Sequence, residues 1–559
     1  MTEKRSFTKF INFINFSWPF LVLLLCELFF FRNVIASDLL FGDNGDGRFC
    51  TIVAEHWYQV LKGQHSFGSL GIFYPVDGTI AYSDMLLGYA PVYCLLRFLH
   101  FNMFAAYKWT LILIHAAGSF LMYGMLYITL KVRKGWALIA TASFSFSSVY
   151  AFIILHTQLV IISLLPALAW CMILFVRAVL DEKRRRKNIF ACLSVTLMAV
   201  LMYTGWYIAF FAIIFLLFYL AVYVLVSLIV KKKAFWAEAG VFIKKIGRDI
   251  FWYIGYAVLI LLPFVRLYIP VMQMNGGHVY NSIVCYIPQL IDLINVTPHN
   301  LCMGWMFDAL HLGDRTLTGE VWEGYSLVCW ALFISMCILG IRALKHRKDL
   351  WILSVSLVLA IGISLLFTIQ IGENGLSLWY LIYKLVPGAG SIRAVGRYLF
   401  VLLFPVSMAI GIFGSIGTQK LLSGHRTVYR IGAVVVFVLL FISNVTREGV
   451  AAGWYESEQM TVSGRVSPPP ADCETVFVVN PPQEDRAPLF DQLDGMEIAA
   501  YYSLDTLNGY SAIIPEHYDG IVDVKGEDYI ESVSRWIQIY GLTNVYAYDL
   551  SQNIWIKIN

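Results

Sequence analysis

Charge is what this sequence has least of. Only 14% of its 559 residues are Asp, Glu, Lys or Arg, where a soluble domain carries about a quarter. With 59% hydrophobic residues, that scarcity excludes an ordinary soluble chain and implies a polytopic membrane protein. The ten cysteines include no CxxC pair, which argues against a zinc ribbon or a dithiol redox site. Cys285 and Cys302 fall in one predicted external loop and are the candidate disulfide pair; the other thiols read as apolar packing. No long basic stretch with interleaved aromatics is present, so no nucleic-acid partner is expected. No internal repeat appears. No small-residue cleavage site follows the apolar run 17–36, so "MTEKRSFTKF" and that run read as an uncleaved first helix.

What the chain does have is long apolar runs. A span needs about 20 apolar residues. Eleven candidates stand out: 17–36, 106–130, 135–155, 158–179, 188–204, 207–230, 250–268, 325–343, 350–369, 398–418 and 429–446. Lys and Arg collect in alternate connections: "KVRKG" (131–135), "DEKRRRK" (181–187), "KKK" (231–233) with "KKIGR" (244–248), "KHRK" (345–348), and 420–430. Positive charge marks the cytoplasmic side, which places the N-terminus inside and the C-terminus outside. Counting 83–104 as a further span would invert every later loop. It contains Pro91 and Arg97 and reads instead as an interfacial helix. The first external loop then spans 37–105, long enough to expect function there.

These runs predict an α-helical polytopic fold of about eleven transmembrane helices with interfacial helices in the first external loop. Residues 1–450 form that domain, and 451–559 a small extracytoplasmic α/β domain entered through the linker "SPPPADC" (467–473). Strands are expected at 475–479, 544–550 and 553–558, and helices near 486–500 and 527–540.

The first loop concentrates acids: Asp43, Asp46, Glu55, Asp77 and Asp84. Phe49, Ile52, Val53, His56, Trp57, Val60 and Leu61 recur at helical spacing, with Arg48, Glu55, Gln59 and Lys62 opposite, as in a helix lying on a membrane surface. Singly, each acid has an ordinary structural explanation. Asp43 with Asn44-Gly45 makes an Asx turn, Asp46 caps the helix, and Asp84 opens the next one. Together at headgroup depth, they suit a general base on a hydroxyl, or a divalent cation (Mg or Mn) held by Asp43 and Asp46 against a phosphate. In "LVPGAGSIRAVGRYLF" (385–400), Arg393 and Arg397 at i, i+4 suit a phosphate group. His156 ends a span on the same side. "NGYSAIIPEHY" (508–518) is distinctive but shows no nucleophile–base spacing.

The segments "GDNGDGRF…EHWYQVLKG…FYPVDGTIAYSD", "PGAGSIRAVGRY" and "NGYSAIIPEHY" resemble bacterial members of the GT-C superfamily of integral membrane glycosyltransferases. The resemblance implies sugar transfer from a polyprenyl-phosphate donor to a cell-envelope polysaccharide, glycolipid or protein on the outer face of the bacterial inner membrane, with inversion. It maps the family's first-loop carboxylate onto Asp46 or Asp43. The two acids stand three apart rather than as an adjacent Asp-Glu pair, so the choice between them and the need for a metal stay open. Arg393 and Arg397 would hold the departing phosphate, with Glu55, Asp84 and His156 in support. A lipid-linked sugar flippase and a non-catalytic assembly factor for envelope polymers are the alternatives. The scarcity of ionisable residues within the spans weighs against the flippase.

Overall fold

A chain that enters lipid must satisfy its backbone internally, so long apolar runs become helices. The computed structural model describes residues 17–312, 322–372, 375–446, 454–456, 464, 466–480 and 487–559; the basic N-terminus and the tail boundary near 451 lie outside the described residues. Among the described residues, eight helices are long and apolar enough to cross a membrane: Met103–Thr129, Thr157–Leu180, Arg184–Thr204, Trp206–Lys231, Asp249–Asn275, Leu327–Leu344, Lys348–Thr368 and Val395–Gly417. The other three expected runs form shorter helices, Ser17–Phe30, Lys134–Ser145 and Arg426–Ile442. The run 135–155 breaks at "SFSS", where the Ser148 N–H donates to Asn444 Oδ1 at 3.2 Å instead of continuing the helix. Twelve residues reach about 18 Å, short of a hydrocarbon core of about 30 Å. Val395–Gly417 is the central span, with 78% of its apolar stretch buried, while Asp249–Asn275, at 11%, is peripheral.

The helices are not empty of ionisable groups. Glu27 of the first helix meets His115 of Met103–Thr129 at 2.8 Å, and both are buried. The second His115 ring nitrogen lies 2.8 Å from the Ser145 carbonyl, and the Ser119 hydroxyl donates to Glu27 at 2.6 Å. A fully bonded pair of this kind pins the register of three helices.

The tail forms a four-stranded sheet in the order Asp505–Thr506, Thr475–Val479, Val545–Asp549, Ile554–Lys557; the first three run parallel and the last closes an antiparallel hairpin. Helices Pro488–Tyr502 and Tyr529–Tyr540 make the crossovers. The expected linker is part of this unit. Asp472 pairs with Lys557 at 2.6 Å, and the Ser467 carbonyl accepts from the Trp555 indole.

The first-loop helix Asp46–Leu61 is not a float on the membrane surface. Twelve of its 16 residues are buried within the protein, Arg48, Glu55 and Gln59 among them. Its polar face is the docking face for the tail: Arg48 pairs with Asp494 and Glu497 at 2.5 Å each, and the Gln59 side chain donates to the Ala500 carbonyl at 2.6 Å. Helical phase alone separates two faces but does not say whether the polar one meets water or a charged partner. The second expected interfacial helix is limited to Ala90–Phe98, with Tyr89 rather than Asp84 at its N-cap. All ten cysteines are free thiols, Cys285 and Cys302 included.

Candidate functional site

The site is organised by a reversal of the chain before Asp46–Leu61. Gly42 adopts φ +82°, and a Cβ there would lie 2.6 Å from Gly47 Cα; a Cβ on Gly47 would lie 2.6 Å from the Phe41 carbonyl. Only glycine allows these two stretches to touch. Within the reversal, Asp43 Oδ1 accepts from the N–H groups of Gly45 at 2.9 Å, Asp46 at 2.5 Å and Gly47 at 3.4 Å. Asp43 therefore does the turn and helix-start work. Asp46 is the first helical residue, with Gly45 at the cap, and its carboxylate is released for contacts elsewhere.

Those contacts come from three distant parts of the chain. The Tyr510 hydroxyl donates to Asp46 Oδ1 at 3.0 Å. His156 Nδ1 stands 3.8 Å from Asp46 Oδ2, an ion-pair separation. The Arg397 guanidinium lies close enough for its charge to act on both Asp46 and Asp84. His156 first, then Tyr510 and Arg397, hold the Asp46 carboxyl below the usual range against the effect of burial. Its side chain remains 42% exposed, so an ionised carboxylate is within reach of a ligand.

Asp84 is partly buried and caps a helix other than its own. Its Oδ1 accepts from the Trp206 N–H at 3.0 Å, at the start of Trp206–Lys231. Burial pushes its carboxyl up to about 6, opposed by that N–H and by Arg397. The folded state thus binds a proton more tightly than the unfolded chain, so this group lowers stability as pH rises from about 4 through about 6. Asp84→Asn keeps an acceptor for Trp206. It is expected to raise the melting temperature by a few degrees at pH 7.5, with the gain vanishing by pH 4; thermal scans across that range check it.

Arg397 is buried, and its guanidinium stacks on the Tyr207 ring 5.1 Å from the centroid. Arg393 does not share a helical face with it. Ala389–Ser391 and Val395–Arg397 are separate helical turns with non-helical backbone between them. Arg393 is exposed, its backbone N–H donates to the Tyr207 hydroxyl at 2.9 Å, and its guanidinium covers the Tyr286 ring at 4.9 Å. Tyr207 thus ties both arginines together. Behind Arg397, the buried Glu323 carboxylate fills the space a Cβ on Gly396 would need, 1.6 Å away. Glu55 is not part of the group. It forms a bidentate pair with Arg97 at 2.7 and 2.9 Å and accepts from Tyr93 at 2.6 Å, joining two first-loop helices.

No protein-family model matches the chain, and no curated protein matches it. Among solved structures, it is similar to an oligosaccharyltransferase from Archaeoglobus fulgidus, crystallised with zinc and sulfate. That likeness has 12% identity and a TM-score of 0.49, and covers 94% of this chain and 67% of that one.

Among the described residues, no three His, Cys, Asp or Glu side chains gather as metal ligands. Asp43 Oδ1 turns toward backbone N–H groups, and Asp46 Oδ1 toward the Tyr510 hydroxyl. Cys50, one turn after Asp46, is a packing thiol; burial pushes it up to about 12. The residue that sequence reading missed is Tyr510. Its motif was distinctive, and the fold explains it. Asn508 accepts from the Val478 N–H, the Phe73 ring fills the place of a Gly509 side chain, and the Ser511 hydroxyl reaches the Tyr82 carbonyl.

Proposed function

We propose that this chain is a GT-C-type membrane glycosyltransferase that takes a hexosyl or pentosyl group from a polyprenyl-phosphate donor. It passes that group to a cell-envelope polysaccharide, glycolipid or protein on the extracytoplasmic face of the bacterial inner membrane, with its N-terminus cytoplasmic. The observation that carries the reading is the reachable Asp46 carboxylate, met by Tyr510 and His156 and acted on by the charge of the buried Arg397, where the first loop and the tail come together.

In this reaction Asp46 takes the proton of the acceptor hydroxyl. The acceptor oxygen bonds to the anomeric carbon as the carbon–oxygen bond to phosphate breaks. The electron pair leaves on the phosphate oxygen, and Arg397 and Arg393 meet the charge that grows there. Attack opposite the leaving group inverts the anomeric centre. His156 and Tyr510 orient the base and keep it ionised, and Asp84 holds the start of Trp206–Lys231 against the same site. The purified protein, given a panel of polyprenyl-phosphate sugars and lipid or polymer acceptors, is expected to release polyprenyl phosphate. If none of the donors yields polyprenyl phosphate, the reading fails.

Tyr510→Phe tests the contribution of the tail. Losing one hydrogen bond to a charged group lowers kcat/KM about tenfold. That bond favours the carboxylate, so its loss raises the pKa of Asp46 and moves the acid limb of the pH profile to higher pH.

The buried Glu27–His115 pair within the helices favours a second reading, a lipid-sugar carrier. In that reading Asp46→Asn leaves translocation of a labelled polyprenyl-phosphate sugar across proteoliposomes intact.

A further inference from the structure

At the far ends of the spans lies a second site. Helix Arg184–Thr204 carries Lys187 at one end and Thr204, beside the Trp206 that Asp84 caps, at the other. Its 21 residues separate the two ends by about 30 Å. At the Lys187 end a cavity of about 430 Å³ opens among Glu182, Arg184, Lys187, Lys245, Arg248 and Asp249. Four cations face two anions there.

Lys187 is buried and holds the cavity together. Its ammonium pairs with Asp249 at 2.9 Å and donates to the Lys245 and Ile246 carbonyls at 3.0 Å each. Lys245 meets Glu182 at 3.1 Å and Arg184 meets Asp249 at 3.5 Å, which uses both anions. Arg248 is exposed at the rim, and the cavity keeps a net positive charge.

The surroundings are those of a membrane surface. Helix Lys233–Ile246 buries only Phe235 and exposes Trp236 at 65% and Ile243 at 67%, with Lys244 and Lys245 in its last turn. Past Arg248, Phe251 and Trp252 are 72% and 79% exposed on Asp249–Asn275. A basic amphipathic helix with exposed aromatics lies at the lipid interface. We infer that this cavity binds the phosphodiester headgroup of an anionic phospholipid, with Arg248 and Lys245 on the phosphate and the acyl chains along Phe251 and Trp252. Basic pockets between spans on the cytoplasmic side suit such headgroups, and the surrounding lysines and arginines would place this one there.

The test uses the full-length protein in nanodiscs. Phosphatidylglycerol is expected to raise its melting temperature over phosphatidylcholine, and Arg248→Gln with Lys245→Gln to remove most of that rise, weakening phosphatidylglycerol binding about fivefold per cation. The melting temperature in phosphatidylcholine should change little, as for the control Arg535→Gln, an exposed arginine on Tyr529–Tyr540 of the tail. Arg248→Gln alone, which breaks no ion pair among the described residues, guards against misfolding of the double variant and should show the single-cation loss. A full phosphatidylglycerol effect in both variants overturns the inference. So does an equal rise with inorganic phosphate in phosphatidylcholine, which would mark a free-anion site.

Discussion

Asp46→Asn is expected to lower sugar transfer by roughly 10²–10⁴, the range a general base contributes, while leaving the protein folded. The amide has the shape of the carboxylate and still accepts from Tyr510, so the helix start and the tail contact survive. What goes is the ability to take a proton, and with it the anion that His156 and Arg397 face. Asp43→Asn is the matched control. Asn makes the same turn and cap contacts as Asp, so transfer should stay within a few-fold of the native rate. Steady-state rates with a polyprenyl-phosphate sugar decide between them. Full transfer by both variants would remove the proposed base, and a loss confined to Asp43→Asn in a folded protein would move the role to Asp43.

The second large effect is on stability. Arg48 is buried between Asp494 and Glu497, whose side chains are 3% and 0% exposed, at the contact between the first-loop helix and the tail. Arg48→Met removes the cation that faces both buried carboxylates in that contact, and breaking a buried ion pair by removing one partner costs about 3–5 kcal/mol. Thermal unfolding of the purified protein should show a drop of that order. The tail is expected to lose its seat on Asp46–Leu61, and with it the placement of Tyr510 on Asp46. Arg48→Met combined with Asp494→Leu and Glu497→Met should recover most of the stability, because an apolar cluster of similar volume needs no cation. If Arg48→Met alone melts like the native protein, the triad is not what holds the tail.

Much of the fold was legible because its causes are local. A run of about 20 apolar residues becomes a helix wherever it lies, and eight such runs did. The tail strands Thr475–Val479 and Val545–Asp549 lie within or at the predicted stretches for the same reason. Where neighbours decided, sequence reading went astray. "SFSS" looked apolar enough to continue a span, yet Ser148 turned to Asn444, 296 residues away. Asp84 looked like the cap of the helix after it, yet it caps one that begins 122 residues on. Arg393 and Arg397 looked like one helical face, yet non-helical backbone separates them and Tyr207 joins them from another helix.

The sequence by itself determined that the chain is a helical membrane protein with an acidic first loop and an α/β tail, because the lengths of apolar runs, long in the spans and short in the strands, are properties of consecutive residues. Only the tertiary structure decided which acid is available. Asp43 is drawn into the turn by three backbone N–H groups, while Asp46 meets a histidine at the bend before Thr157–Leu180 and a tyrosine 464 residues away. The same holds for Arg48, Glu55 and Gln59, whose polar face reads in sequence as solvent-facing and in the fold as buried. Charge at one position depends on what packs against it, and that is set by contacts far apart in the chain.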